Sequence, residues 1–240
     1  NYRTIAGSTI PNATNDIRNG CELVESDDVL FAECISSAVT DVAVNQYMAN
    51  SGLGSVQIIC ATKSCKAKAN RKIQSLLLAD APKVKASPEF RVGDLVVYKK
   101  NDEHLGLVNG SMGTVCEIMG DMIIIDSETG KQIPADMVVE FENEGRVPLF
   151  LSHIKSFGAG EWFIEHSYAI TCHQGQGSEF DNVIVALEPT RLLDRSWLYT
   201  AATRAKKKVI FVGSKALAQQ AIDSGNIADK RMVGIEFNGI

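Results

Sequence analysis

The chain has 240 residues, of which 45% are hydrophobic and 22% are charged, and its formal net charge at neutral pH is −5. This length can bury a substantial core, and the composition is that of a globular protein rather than a disordered one. No apolar run approaches the ~20 residues that span a bilayer, and the net charge argues against a protein that coats nucleic acid by overall attraction.

The first third of the chain predicts two helices and a buried strand. STIPNATNDIRNG (8–20) is typical of a short helix with Ser8 as its N-cap and Gly20 as its stop. Apolar residues at helical spacing predict a second helix in CISSAVTDVAVNQYMANSG, which ends at Gly52. VQIICAT (56–62) is a β-branched run of the kind that is buried in a parallel sheet.

A basic helix is predicted next, from about residue 66 to residue 78. The segment KSCKAKANRK carries five basic residues and no acidic one: Lys63, Lys66, Lys68, Arg71 and Lys72. Such a local patch can contact a phosphate backbone despite the negative net charge, but it is equally compatible with a solvated helix face.

The pattern changes between Pro82 and Phe90. Short apolar runs separated by Gly, Asn and Asp turns then predict a small antiparallel barrel at 89–142. Helix–strand alternation resumes afterwards, with HSYAITC, NVIVALE and KKVIFVGS as buried strands and LLDRSWLYTAATRA and SKALAQQAIDSG as helices. The sum is an α/β domain interrupted by an all-β insert.

The six cysteines are scattered and contain no Cys-x-x-Cys pair. Because a chain of this length does not require a disulfide framework, we expect reduced, mostly buried thiols in a cytoplasmic protein and no metal site. The chain starts without Met and without a signal-peptide pattern, so we expect it to be a piece of a longer polypeptide.

Two segments contain residues suited to ligand binding. AITCHQGQGSEF, which joins two predicted strands, is longer than a hairpin loop and serves either as a surface loop or as a place where side chains and backbone N–H groups meet a ligand. Arg204 is predicted at the end of a helix, where it either contacts a phosphate or caps the helix C-terminus.

YAITCHQGQGSEFDNVIVAL followed by WLYTAATRAKKKVIFVG closely resembles motifs V and VI of superfamily 1 helicases of the RecD-like branch. NYRTIAGSTIPNATNDIRNG resembles the motif IV region, and FRVGDLVVYKKNDEHLGLVNGSMGTV resembles the SH3-like insert of these helicases. The resemblance implies an α/β, RecA-like P-loop-NTPase-type parallel-sheet lobe at 1–88 and 143–240, interrupted by an SH3-like barrel at 89–142.

The resemblance implies that ATP with Mg²⁺ is hydrolysed between two RecA-like lobes while single-stranded DNA crosses both. Arg204 matches the motif VI arginine finger and Arg3 matches the motif IV arginine; both would stabilise charge on the γ-phosphate. An arginine suits this role because its planar fork stays charged and pairs with phosphate oxygens.

The resemblance also implies binding residues. Gly177, Glu179 and, in a supporting role, Gln176 would contact the nucleotide, and Thr171, His173 and Ser178 would contact DNA. Thr62 and Lys63 would add DNA contacts, although the family's proline before the threonine is Ala61 here. His173 as a partnerless surface side chain and Glu179 as a turn cap remain alternatives.

The chain has no Gly-x-x-x-x-Gly-Lys-[Ser/Thr] motif and no first-lobe Asp-Glu pair, so ATP and Mg²⁺ would be held mainly by an N-terminal lobe of the same polypeptide. The expected function is the C-terminal motor lobe of a 5′–3′ DNA helicase of the exodeoxyribonuclease V alpha-subunit type, with possible recombination or conjugation partners. The alternatives are an inactive helicase-like lobe that binds nucleic acid or protein, and an RNA helicase.

Overall fold

The computed structural model describes residues 7–84, 89–118, 123–125, 132–134, 136–155 and 162–225. Contacts divide the chain at 69/70 and at 168/169 into two compact units. The first unit holds the described residues up to Ala69 and from Ala169 onward, and the second holds those between. Within the described residues, no helix is long and apolar enough to cross a membrane.

The first unit is built on a parallel five-stranded sheet in the order β1-β12-β11-β2-β10. Its strands are β1 (Val29–Ala32), β2 (Val56–Cys60), β10 (Ala169–Thr171), β11 (Phe180–Ala186) and β12 (Ala205–Val212). The interior strand β2 is buried at every position, as expected for a sheet covered on both faces. The predicted buried strands in VQIICAT, NVIVALE and KKVIFVGS are confirmed.

The helices of this unit are α1 (Ile10–Asn19), α2 (Val39–Asn50), α5 (Arg195–Ala202), α6 (Lys215–Asp223) and the start of α3 (Lys63–Leu77); a 3-10 turn (Ser36–Ala38) precedes α2. The helix predicted within 8–20 is confirmed and ends at Gly20, whose positive φ of 79° suits glycine. Thr9 occupies the N-cap position but makes no side-chain cap bond, whereas the predicted cap, Ser8, accepts the Ile10 N–H on its hydroxyl oxygen at 3.2 Å. The Ser8 hydroxyl also donates to Asp28.

Strand β1 lies at the edge of the parallel sheet and was not predicted from the sequence. Glu25 covers part of this edge: its Oε1 accepts the Phe31 N–H at 2.9 Å, and its Oε2 lies 2.6 Å from Lys215 Nζ. The Lys215 ammonium also lies 5.3 Å from the centre of the Phe31 ring. The salt bridge holds the pKa of Glu25 below its usual value.

The second unit contains an antiparallel sheet in the order β8-β7-β4-β3-β9. Its strands are β3 (Leu95–Tyr98), β4 (Met112–Ile118), β7 (Met137–Phe141), β8 (Gly145–Leu149) and β9 (Ile164–His166); β5 (Ile123–Ile125) pairs separately with β6 (Gln132–Pro134), and α4 (Leu151–Ile154) is a short helix. The predicted antiparallel strands are therefore present. The sheet also includes β8 and β9, which follow residue 142.

A buried polar cluster lies at one end of the antiparallel unit. Asp94 is fully buried and accepts hydrogen bonds from the Tyr168 hydroxyl at 2.9 Å, from Gln74 Nε2 at 2.7 Å and from the Arg91 N–H at 2.6 Å. His166 Nε2 lies 3.3 Å from the same carboxyl group. A buried carboxyl group requires such partners, so this cluster fixes the start of β3 against the last turns of α3.

The prediction of a single strand in HSYAITC is wrong. His166 ends β9 of the antiparallel sheet, whereas Ala169–Thr171 form β10 of the parallel sheet. The local run of residues does not indicate that the chain leaves one sheet and joins the other at Ser167 and Tyr168. The basic helix also begins three residues earlier than predicted, because the Thr62 hydroxyl accepts the Cys65 N–H and caps its first turn.

Candidate functional site

Polar side chains gather where three neighbouring strands of the parallel sheet end. Thr171 is the last residue of β10 and lies in register with Cys60, the last residue of β2. Thr62 follows β2 by two residues, and Glu188 follows β11 by two residues. Ligands of open parallel sheets bind outside these carboxyl ends, so this edge is the first place to look for a site.

Thr62 is held by Glu188. Its N–H donates to Glu188 Oε2 at 3.0 Å, and its hydroxyl donates to Oε1 at 2.6 Å. Its hydroxyl oxygen accepts the Cys65 N–H at 3.1 Å, which makes Thr62 the cap of α3. Lys63, the first residue of that helix, is exposed.

Thr171 is held by Gln174. One oxygen, Gln174 Oε1, accepts the Thr171 N–H at 3.1 Å, the Thr171 hydroxyl at 3.2 Å and the Lys66 ammonium at 3.2 Å. The structure therefore brings two threonines, a lysine and an amide together at the ends of β2 and β10. Hydroxyls, backbone N–H groups and ammonium groups are the common donors to nucleic-acid phosphates.

The loop after Thr171 is tightly wound. The N–H of Gly175 donates to Thr171 O at 3.2 Å, and the N–H of Ser178 donates to Gly175 O at 3.1 Å. Gly177 has a φ of +89°, a conformation that other residues rarely adopt. His173 and Gln176 are exposed on this loop, so their side chains are available to a ligand.

Arg204 lies two residues beyond α5 and contacts the same loop. Its Nη1 donates to Ser178 O at 3.4 Å, its Nε donates to Thr200 O at 3.2 Å, and its Nη2 lies 3.4 Å from Thr203 Oγ1. All these acceptors are neutral oxygens. The contact with Thr200 O fits the helix-capping interpretation, and the contact with Ser178 O links the arginine to the loop.

Two titratable residues of the loop, Glu179 and Cys172, differ in exposure and in their charged neighbours. Glu179 lies 3.9 Å from Lys206, a long ion pair between two partly exposed side chains. Burial raises the pKa of the Cys172 thiol to about 11, and the Arg204 charge opposes that rise. Cys172 is therefore a neutral, buried thiol, and its sulfur lies 3.9 Å from Trp197 O.

Cys60 ends β2 and Cys65 lies in the first turn of α3, on either side of Thr62 in the sequence, and both thiols are buried. A hydrogen bond with Cys65, together with burial, raises the pKa of Cys60, and the same bond lowers the pKa of Cys65. All six cysteines are free, as predicted, but only three of them are buried.

The structure thus forms two groups from the predicted residues: Thr62 and Thr171 in one, and Ser178 and Arg204 in the other. Arg3 lies outside the described residues. Sequence analysis missed Glu188 and gave no specific role to Lys66 or Gln174. A glutamate two residues beyond a buried strand was the available signal for Glu188, because such positions lie at the ligand-binding edge of a parallel sheet.

Comparison with known proteins identifies helicase relatives. Residues 166–212 match the model of the UvrD-like helicase C-terminal domain. The chain is 34% identical over 155 residues to the RecBCD enzyme subunit RecD of Mycobacterium tuberculosis, covering 64% of this chain and 23% of that protein. It is 31% identical over 138 residues to the ATP-dependent RecD2 DNA helicase of Deinococcus radiodurans, covering 57% and 16% respectively.

Two solved structures share the fold. The Pif1 helicase from Bacteroides, in complex with ADP-AlF3 and single-stranded DNA, matches with a TM-score of 0.53 at 18% identity and covers 88% of this chain and 50% of that one. The Pif1 helicase from Candida albicans matches with a TM-score of 0.55 at 14% identity, covering 90% and 56%. The predicted α/β class with a parallel sheet is confirmed, and it is a fold that these two helicase structures share.

Proposed function

The chain is related to the C-terminal lobe of RecD-like superfamily 1 helicases, and from that relationship we propose that it is the C-terminal motor lobe of an ATP-dependent 5′–3′ DNA helicase. The observation that carries the proposal is the convergence of Thr62, Lys66 and Thr171 at the carboxyl ends of β2 and β10. The chain spans less than a quarter of the two RecD-type relatives, so the activity belongs to a longer protein.

Single-stranded DNA binds along this edge of the sheet. Thr62 and Thr171 donate to successive phosphates, and Lys63 and Lys66 supply charge from the first turn of α3. His173 and Ser178 extend the contact along the loop. These donors read no base edges, so the lobe binds DNA without regard to sequence, as a translocating motor requires.

The nucleotide binds on the side of Arg204. Each described contact of its guanidinium is to a neutral oxygen, so its charge is available to an anion. Arg204 and Arg3 stabilise the γ-phosphate. Gly177 lets the backbone approach the nucleotide, and Gln176 supports that contact. Glu179 accepts a hydrogen bond from a ribose hydroxyl. Mg²⁺ and the phosphates are held mainly by the N-terminal lobe of the same polypeptide.

The second unit, with its antiparallel sheet, is the SH3-like insert of this lobe.

Ser178 links the two ligands. Ser178 lies on the loop that begins at Thr171, and its carbonyl oxygen accepts a hydrogen bond from Arg204. A movement of Arg204 toward the γ-phosphate removes that bond and frees the loop. Nucleotide state thereby changes the contact with DNA.

The test is ATP hydrolysis by the full-length protein, with and without single-stranded DNA, in wild type, Arg204→Ala and the control Arg18→Ala. Arg18 is an exposed arginine in the last turn of α1. We expect DNA to stimulate the wild type and the control equally. Arg204→Ala should lower kcat by about 10³-fold or more while retaining DNA affinity.

Two results contradict the proposal. Hydrolysis that survives in Arg204→Ala removes the arginine from the catalytic step. A wild-type protein that binds DNA or a protein of the recombination or conjugation type, yet hydrolyses no ATP, identifies a binding module instead.

A further inference from the structure

Glu188 occupies both hydrogen-bond donors of Thr62. Threonine has one backbone N–H and one hydroxyl hydrogen, and both go to the Glu188 carboxylate at 3.0 Å and 2.6 Å. The hydroxyl oxygen in turn accepts the Cys65 N–H. A phosphate oxygen needs those same two hydrogens, so the carboxylate and a phosphate exclude each other at Thr62.

The negative charge of Glu188 adds repulsion to the competition between the carboxylate and a phosphate for Thr62. Glu188 is partly buried and lies against the buried thiols of Cys60 and Cys65, whose pKa values its charge pushes upward. A phosphate near Thr62 would meet this carboxylate at hydrogen-bond range, where the two negative charges repel each other. The phosphate therefore binds only when Glu188 leaves.

The neighbouring threonine shows the contrast. Thr171 gives its two hydrogens to Gln174, a neutral amide that also accepts the Lys66 ammonium. A phosphate at Thr171 would therefore replace a neutral acceptor rather than a charged one. The negative charge at Thr62 is thus a property of that one strand end.

We propose that Glu188 is a positioning residue that holds Thr62 closed in the absence of DNA and lowers the resting affinity of the lobe for single-stranded DNA. This inference rests on the proposed function, because it assumes that Thr62 contacts a phosphate. Glu188 acts through Thr62, and DNA binding requires its carboxylate to withdraw.

The experiment measures binding of a fluorescein-labelled oligodeoxythymidine to the full-length protein by fluorescence anisotropy, over a series of KCl concentrations. Glu188→Gln keeps the shape and the acceptor oxygen but removes the charge. We expect its affinity to rise at least about threefold at low salt, and the gain to shrink as KCl screens the repulsion. Glu188→Ala should change the affinity in the same direction.

Asp223→Asn is the matched control, because it removes the same charge from an exposed residue at the end of α6. This control should leave the affinity for DNA nearly unchanged, because a single distant charge has only a small effect. Thr62→Val in the Glu188→Gln background should abolish the gain. Thermal unfolding of each variant verifies that the comparison is between folded proteins.

The outcomes separate the two proposals. Equal or weaker binding by folded Glu188→Gln or Glu188→Ala, in a protein whose wild type binds DNA, overturns the role of Glu188 and identifies it as a structural support for Thr62. A folded wild type that binds no single-stranded DNA overturns the proposed function, and this inference with it.

Discussion

Thr62 and Thr171 each donate two hydrogen bonds to one side chain, yet the two acceptors differ in charge. Glu188 is a carboxylate and Gln174 is an amide. The oxygen of Gln174 that accepts the Lys66 ammonium carries only a partial charge, whereas the Glu188 carboxylate carries a full negative charge. The strand end at Thr171 is therefore the more receptive of the two to a phosphate.

Gln174→Glu should make Thr171 resemble Thr62. The new carboxylate would accept the same hydrogens and pair with Lys66, so a phosphate would lose its partners and meet a negative charge. We expect the affinity for single-stranded DNA to fall by about three- to tenfold at low salt. Gln220→Glu, at an exposed position of α6, adds the same charge and serves as the control in an anisotropy titration. Equal affinities of the two variants would argue against a phosphate at Thr171.

The residues of this site were only partly predictable. Thr171 was identified because it belongs to a motif whose neighbours resemble a known family. Gln174 and Lys66 acquire their role from an approach of residues 108 positions apart, and Glu188 and Thr62 from one of 126 positions. No local pattern records such pairings, because they are set by the order of strands in the sheet.

Elements with a strong periodic pattern were predicted well, and those defined by their neighbours were not. The fully buried strand β2 and the glycine stop of α1 follow from local chemistry. Strand β1 is four residues long and borders a sequence rich in acidic residues, so its pattern is too short to indicate a strand. HSYAITC is divided between two sheets because its first part pairs with β3 and its last part with β2, and neither partner is visible in the local sequence.

Strand β4 allows a test at this scale. A Cβ atom on Gly113 would lie 2.6 Å from the Glu140 carbonyl oxygen and 2.8 Å from Val139 Cγ1, both on the paired strand β7. Gly113→Ala must therefore push the strands apart, and we expect a loss of about 1–3 kcal/mol in the free energy of unfolding. Gly52→Ala is the control, since no heavy atom lies within 4 Å of its Cβ position; urea unfolding compares the two, and equal stabilities would refute the packing argument.

At the scale of the whole molecule, the chain crosses between its two compact units twice, within α3 and after Tyr168. Each unit has its own sheet, and each contains one of the two tryptophans of the chain, Trp162 in the antiparallel unit and Trp197 in the parallel one. The class of each sheet was predictable, because alternating helices and buried strands differ in pattern from short strands with turns. The points of crossing were not predictable, since both lie inside continuous apolar or helical patterns.

Tyr168 tests the second unit alone. Its hydroxyl donates to fully buried Asp94, so Tyr168→Phe leaves a carboxyl oxygen with one partner fewer. We expect the free energy of unfolding of this unit to fall by about 1.5–3 kcal/mol, measured by Trp162 fluorescence in a Trp197→Phe background. Tyr98→Phe, which removes a longer 3.4 Å contact with Asp102, should cost less; the reverse order would contradict the importance of the Asp94 cluster.

The Glu25 side chain has a consequence for how this protein behaves at high concentration. An edge strand of a sheet is a template on which a second chain can add its own strand, and from there aggregation can propagate. Glu25 takes the Phe31 N–H and is itself fixed by Lys215, so an incoming strand finds a donor already used and a charged pair in its way. A side-chain contact at the edge opposite β10 thus makes this edge of the parallel sheet a poorer template for pairing with a second chain.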